Sequence, residues 1–346
     1  MSSDFKSRLA LLGWDPWFED RFAPFAAAGL EPARVTADFG AEFQVARATG
    51  TDRAHASRDV PAPAVGDWAG LSDGYIRTVL QRRTAISRQT AGRETHEQVL
   101  AANVDIAFVV ASAQVVNVRR IERYLAMAWQ SGAVPAVVLT KCDAVDSVDE
   151  SRLEIESVSV GTTVIGTSSV TGEGVDEMLG QLRGAKTGVL LGPSGVGKSS
   201  LINRMAGVEM MKTRGVFRTG EGRHMTSHRQ LIELPTGGMI IDTPGLREAQ
   251  LWAGDEALDN LFEDIEQLAL TCRFPDCEHR TEPGCAIKAA LDDGSLDPGR
   301  LSSYRKLQRE LRSIAARSDA RLRADERRKW RQITINNRAR DRYLRR

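Results

Sequence analysis

Cysteine is scarce in this chain of 346 residues, four in all, and Cys272, Cys277 and Cys285 fall within one short segment. A disulfide framework spread along the fold is therefore excluded, and local metal binding becomes the leading reading. Long apolar runs are also missing: none approaches the roughly 18 residues of a membrane-spanning helix, so an integral helical membrane protein is excluded. Aromatics amount to only 6% beside 27% charged residues, the profile of an ordinary soluble protein. The N-terminus carries charges with Trp14, Pro16 and Trp17 where a signal peptide needs its apolar stretch, so a cytoplasmic protein with no membrane partner is expected.

Net charge is also nearly absent, at +1, but that balance hides an asymmetry. Residues 300–346 hold 17 Lys and Arg against 5 Asp and Glu, a net of +12; residues 1–299 hold 30 against 41, a net of −11. A basic tail on an acidic body points to a polyanion, because clustered cations release the counterions condensed on nucleic acid. A solvated helix face accounts for the charge equally well, although Trp330 and Tyr343 among the arginines add surfaces on which unpaired bases can stack.

Val35, Ala37, Phe39, Ala41, Phe43 and Val45 alternate strictly, which predicts a half-buried strand opening a small β domain over residues 34 to about 92. From Gln98 the texture changes to apolar strands alternating with helical patterns. Strands are predicted at 105–111, 133–139, 163–166, 188–191 and 239–242, the βαβ signature of a parallel sheet covered by helices. Beyond Leu251 the pattern is mostly helical, with Leu301, Tyr304, Leu307, Leu311 and Ile314 at helical spacing.

The chemistry starts after the strand at 188–191, in Gly192-Pro193-Ser194-Gly195-Val196-Gly197-Lys198-Ser199-Ser200, followed by a helical run. Strand, glycine-rich loop and helix in that order make a P-loop, whose backbone N–H groups and helix N-terminus converge on a phosphate. Lys198 would neutralise the β and γ phosphates and the Ser199 hydroxyl would ligate Mg²⁺. Downstream, Asp242-Thr243-Pro244-Gly245 ends a strand and reads as a second switch, with Asp242 behind the Mg²⁺ and the Gly245 N–H on the γ-phosphate.

Thr140-Lys141-Cys142-Asp143 follows an apolar strand at its C-terminal end, where α/β folds place ligand contacts. The Asp143 carboxylate can accept from guanine N1–H and the 2-amino group, a donor pair adenine lacks, while the Lys141 stem packs on the base. GTP is therefore expected over ATP. Thr167-Ser168-Ser169 looks like the backbone contact to guanine O6. The base motifs precede the P-loop, the reverse of Ras-like enzymes, which is a circular permutation. Thr140 stands where many GTPases carry an Asn that braces the P-loop, so looser nucleotide binding is expected.

Cys272-x4-Cys277-x-His279-x5-Cys285 places three thiols and an imidazole within 14 residues, the ligand set of a closed structural Zn²⁺ site.

Taken with Gly66-Asp67-Trp68, residues 98–105 and Gly222-Arg223-His224, these motifs resemble the circularly permuted small-ribosomal-subunit biogenesis GTPases called RsgA or YjeQ, over about residues 34–316. The resemblance implies a multidomain chain: an N-terminal OB-type β-barrel, a circularly permuted α/β P-loop GTPase domain and a C-terminal, mostly helical zinc-binding domain. The boundaries expected are an extension at 1–33, an OB-fold RNA-binding domain at 34–92, the GTPase at 93–252, the zinc domain at 253–316 and a basic tail at 317–346. It implies a monomer that binds GTP or GDP with Mg²⁺, carries one structural Zn²⁺, and acts late in maturation of the small ribosomal subunit on its rRNA. Hydrolysis would be stimulated by the subunit and would drive release. By the same resemblance Thr226 is the switch Thr for Mg²⁺, although Met225 departs from the usual register, and His224 positions the attacking water. Leu246 occupies the place of the Ras-like Gln, so slow intrinsic hydrolysis is expected. The alternative is an RNA-binding assembly scaffold that senses GTP with little turnover.

Overall fold

The computed structural model describes residues 8–89, 97–159, 161–207, 229–243, 261–274, 277, 279–280 and 282–318. The chain forms two compact units, residues 1–88 with 98–250 and residues 89–97 with 251–346.

The first unit begins with a helical turn at 8–11 and helix α1 (Pro16–Ala27). Asp15 caps α1, accepting the N–H groups of Trp17 and Phe18, and Pro16 sits in the first turn, where a missing N–H costs no hydrogen bond. Trp14, Phe18 and Phe22 are buried, and Trp14 meets Trp68 edge-on at 4.7 Å. The N-terminal segment is thus part of an aromatic core.

Five strands follow: β1 (Glu31–Asp38), β2 (Phe43–Arg47), β3 (Gly50–Ala56), β4 (Trp68–Ser72) and β5 (Tyr75–Val79). They close in the order β1-β2-β3-β5-β4-β1 around Val35, Val45, Leu71 and Ile76, with only β3 and β5 parallel. This is an OB-type barrel. The alternation over 35–45 is not one strand, as the sequence predicts, but a hairpin. Gly40 turns the chain at φ +91°, and its N–H donates to the Asp38 carboxylate at 2.8 Å. Period-two alternation runs on through the turn, which leaves Phe39 and Ala41 exposed at the tip. β6 (Ala85–Gln89) and β7 (Glu97–Ala102) pair as a separate ribbon.

The α/β portion runs β8 (Ile106–Ser112), α2 (Val118–Ser131), β9 (Val134–Thr140), α3 (Asp149–Glu156), β10 (Thr163–Gly166), α4 (Val175–Gln181), β11 (Thr187–Leu191), α5 (Lys198–Ala206), β12 (Arg229–Glu233) and β13 (Met239–Asp242). Each apolar run read from the sequence is a strand to within a residue or two at each end. The order is β10-β9-β8-β11-β13-β12, parallel except for β12. Phe108, Val138, Leu190, Leu201, Ile202 and Ile240 form its core. The chain visits β9 and β10 before the P-loop strand β11, so the permutation is built into a conventional sheet.

β12 also pairs with β1, which makes barrel and α/β sheet one continuous surface of eleven strands. A second tie is Arg34 on β1, wholly buried, whose guanidinium donates to Leu12 O, Gly66 O, Asn103 O and, at 2.8 Å, Thr187 Oγ1 on β11. Burial pushes it down to about 10, against the pull of Asp105 and Asp67, so it stays protonated at neutral pH.

The second unit contains α6 (Glu263–Leu270), α7 (Ala286–Asp292) and α8 (Pro298–Ser318). Phe262, Ile265, Ile287, Leu301, Tyr304 and Leu307 are buried, with Phe262 and Tyr304 edge-to-face at 5.4 Å. Tyr304 donates to Glu266 at 2.7 Å, and Arg300 makes a bidentate pair with Asp264 at 2.6 Å. Trp330, Tyr343 and the rest of the tail beyond Ser318 lie outside the described residues. Among the described residues no helix is long and apolar enough to cross a membrane.

Candidate nucleotide site and metal centre

Parallel strands bring their C-terminal ends to one edge, and that edge carries the motifs. β11 runs into the P-loop. Gly192 has φ +155°, and a Cβ there would stand 2.6 Å from Val110 O, so only glycine fits against β8. Gly195 and Gly197 also have positive φ, at 84° and 104°. Lys198 opens α5 and its ammonium donates to Gly192 O at 2.7 Å and Pro193 O at 2.8 Å, which lays the charge across the loop at the helix N-terminus. Ser199 and Ser200 occupy the first turn of α5 half-buried, and Ser194 is exposed on the loop.

Asp242 ends β13 one step beyond the Val189–Ile241 pair, and so sits beside the end of the P-loop strand. Thr226, His224 and Gly245 lie outside the described residues, as do Gly222, Met225 and Leu246.

The base motifs occupy β9 and β10. Lys141 takes a left-handed conformation at φ 60° and leads into a 3-10 turn at Cys142–Ala144, which presents Asp143 to solvent. Lys141 reaches Gln114 Oε1 at 3.3 Å. The Cys142 N–H donates to Thr167 O at 3.2 Å, so the two base segments are joined. Ser168 is buried, its hydroxyl accepting from Val170 and Thr171 within its own loop, while Ser169 is half-buried.

One expectation changes. Thr140 lacks the amide of the Asn found in many GTPases, yet its Oγ1 lies 2.5 Å from Val196 O in the P-loop and 3.0 Å from Ala111 O. A hydroxyl therefore braces the loop where an absent brace was expected. Nothing local in the sequence announces this contact; it becomes visible only once β9 and β11 are placed on either side of β8.

In the second unit Cys272, Cys277, His279 and Cys285 bring their ligand atoms within 4.8 Å of one another, a cluster that can hold a metal ion. Cys272 and Cys285 Sγ each lie 3.5 Å from His279 Nδ1. That matches the sulfur–nitrogen edge of a tetrahedron with bonds of about 2.3 and 2.0–2.1 Å, the lengths Zn²⁺ takes. Burial pushes the Cys272 thiol up, but the backbone amides of Ala286 and Ile287 and the neighbouring thiols bring it down, while burial and the Cys285 and Cys272 thiols push Cys277 up to about 11. Burial and the Arg305 charge hold His279 below its ordinary range, which favours the neutral, ligating imidazole. Arg305 also donates to His279 O at 2.6 Å.

A P-loop and an acid-tipped base motif on one edge of a parallel sheet, in reversed chain order, define a circularly permuted P-loop GTPase. The family model described as RsgA GTPase matches residues 79–252, and the chain belongs to that family. Among curated proteins, "Small ribosomal subunit biogenesis GTPase RsgA" of Streptomyces coelicolor is 44% identical over 338 residues, covering 94% of this chain and 92% of that protein. Its counterpart in Opitutus terrae is 43% identical over 359 residues, covering 96% and 98%. The crystal structure of YjeQ from Thermotoga maritima superposes with a TM-score of 0.58 at 26% identity, over 82% of this chain and 98% of that one. YloQ, described as a circularly permuted GTPase, gives the same TM-score at 22% identity, over 82% and 96%, a likeness of fold.

Proposed function

We propose that this GTPase binds the small ribosomal subunit as a cytoplasmic monomer late in its maturation, and that hydrolysis of GTP to GDP and phosphate, stimulated by the subunit, drives its release. The relatives named as small ribosomal subunit biogenesis GTPases, 43–44% identical over more than nine-tenths of the chain, support the partner, and the hydrogen-bonded linkage of the base and phosphate halves through Thr140 and Val196 supports the nucleotide site. Asp143 selects guanine with Lys141 against the base and the Ser168–Ser169 backbone at O6. The loop from Gly192 to Gly197 and Lys198 hold the phosphates. Ser199 and Thr226 would hold Mg²⁺, with Asp242 behind them, and the ion would supply countercharge to the phosphate oxygens. Gly245 holds the γ-phosphate through its N–H, and His224 orients the attacking water. Loss of the γ-phosphate frees Thr226 and Gly245, which loosens the grip on the subunit.

The barrel and the basic tail are the rRNA-binding parts, and Cys272, Cys277, His279 and Cys285 would hold a Zn²⁺ that would tie together the C-terminal unit, whose few buried apolar residues make a small core. The segment boundaries proposed from the sequence, 34–92, 93–252, 253–316 and 317–346, assign these roles along the chain. The competing reading, a scaffold that senses GTP with little turnover, draws on Leu246 in the place of a water-orienting Gln. Co-sedimentation with purified small subunits decides the release step. The protein should pellet with a non-hydrolysable GTP analogue and stay in the supernatant with GDP; equal pelleting in both states would refute release by hydrolysis.

A further inference from the structure

The barrel and the nucleotide site meet along one row of backbone partners. Ala37 of β1 stands opposite Gln230 of β12, and Gln230 stands opposite Asp242, the residue that ends β13 beside the P-loop strand. The neighbouring row pairs Asp38 with Arg229, the first residue of β12 and the third after Thr226 in the chain. Here the contact extends to side chains: the Arg229 guanidinium donates to Asp38 Oδ2 at 3.0 Å, with both side chains mostly buried. Burial and the nearby Arg88 charge both weigh against a cation at this point, and Asp38 offsets them only in part. On the barrel side Asp38 leads straight into the exposed hairpin tip at 39–42, where Arg53 stacks over Phe39 at 4.3 Å and donates to Glu42 at 2.5 Å. An exposed aromatic ring with an arginine on its face is the kind of surface that takes an unpaired base.

We propose that Asp38 and Arg229 are positioning residues for subunit-stimulated hydrolysis: the pair pins the start of β12 to the barrel, so that RNA engaged at the barrel tip fixes the end of the switch that carries His224 and Thr226. Strand ends fray, and the first pair of β12 is where the switch segment joins the sheet. A buried ion pair holds that end in register with Asp242. The inference rests on the proposed action on the small subunit, and it assigns the mechanical link that such stimulation requires.

The test is a cycle of Asp38→Asn, Arg229→Gln and the exchanged double variant Asp38→Arg with Arg229→Asp. GTP turnover is measured with and without small subunits, alongside subunit affinity and a thermal melt of each protein. Each single variant should lose roughly 10-fold in stimulated kcat, within the range of measured couplings between sites. Intrinsic turnover, KM for GTP and subunit affinity should stay within about twofold of wild type, the scatter expected when no interaction with substrate is lost. The exchanged variant should recover most of the stimulation. Full stimulation in both single variants overturns the proposal, as does an equal loss of intrinsic and stimulated rates, which marks a merely structural pair. If a single variant fails to fold, rescue by the exchange decides instead, and a folded exchanged variant without stimulation overturns the proposal. Wild-type protein that is not stimulated at all sinks the proposed function itself, an outcome distinct from either.

Discussion

Replacing Thr140 with Val removes one hydroxyl and keeps the side-chain shape, so the perturbation is confined to the P-loop brace. The residue is 2% exposed, and its Oγ1 stands 2.5 Å from Val196 O and 3.0 Å from Ala111 O. With one proton to give, the hydroxyl serves the nearer acceptor first. In the Val variant the Val196 carbonyl loses its donor, and leaving such a group unpaired costs about 1–3 kcal/mol. Carried wholly by nucleotide binding, that range weakens affinity roughly 5- to 150-fold. The assay is titration with a fluorescent GDP analogue, repeated with GTP, beside a thermal melt. Thr140→Ser keeps the hydroxyl and should bind within a few-fold of wild type. Equal affinity in Thr140→Val and wild type, with an unchanged melt, would refute the brace.

Asp143→Asn replaces a double acceptor by a group that also donates, so GTP affinity should fall by two orders of magnitude or so while xanthosine triphosphate, which presents a carbonyl at the 2-position, gains; competition binding reads both. Cys285→Ser removes a buried sulfur from the Cys₃His cluster, and metal analysis should find bound zinc falling from about one per chain to a small fraction, with earlier melting of the C-terminal unit. His224→Ala should abolish stimulated turnover and leave GTP affinity unchanged, and unaltered turnover would remove the imidazole from the mechanism.

The P-loop and the base motif were legible in the sequence because each is local: an apolar strand, a loop of a few residues, and a helix or turn. The cysteine segment was legible for the same reason. Contacts between distant segments were not. The Thr140 brace joins residues 56 apart, and its meaning changes with the strand order. Arg34 and Thr36 look like the solvent face of an alternating strand, yet both are buried because β1 is covered on both faces. The hairpin at Gly40 was hidden by alternation that continues through the turn. The N-terminal segment gave no periodic signal that would tie it to the barrel, and only the packing of Trp14 on Trp68 does so. The same limit explains why the Asp38–Arg229 pair, 191 residues apart, was invisible.

The small ribosomal subunit is proposed to switch this GTPase on. The most direct measurement is steady-state phosphate release from GTP by the purified full chain, alone, with isolated small subunits, and with large subunits as the control. Release should be slow alone, strongly stimulated by small subunits and unaffected by large ones. Tight GTP binding with no stimulation by small subunits would contradict that switch and leave a nucleotide-sensing scaffold in its place.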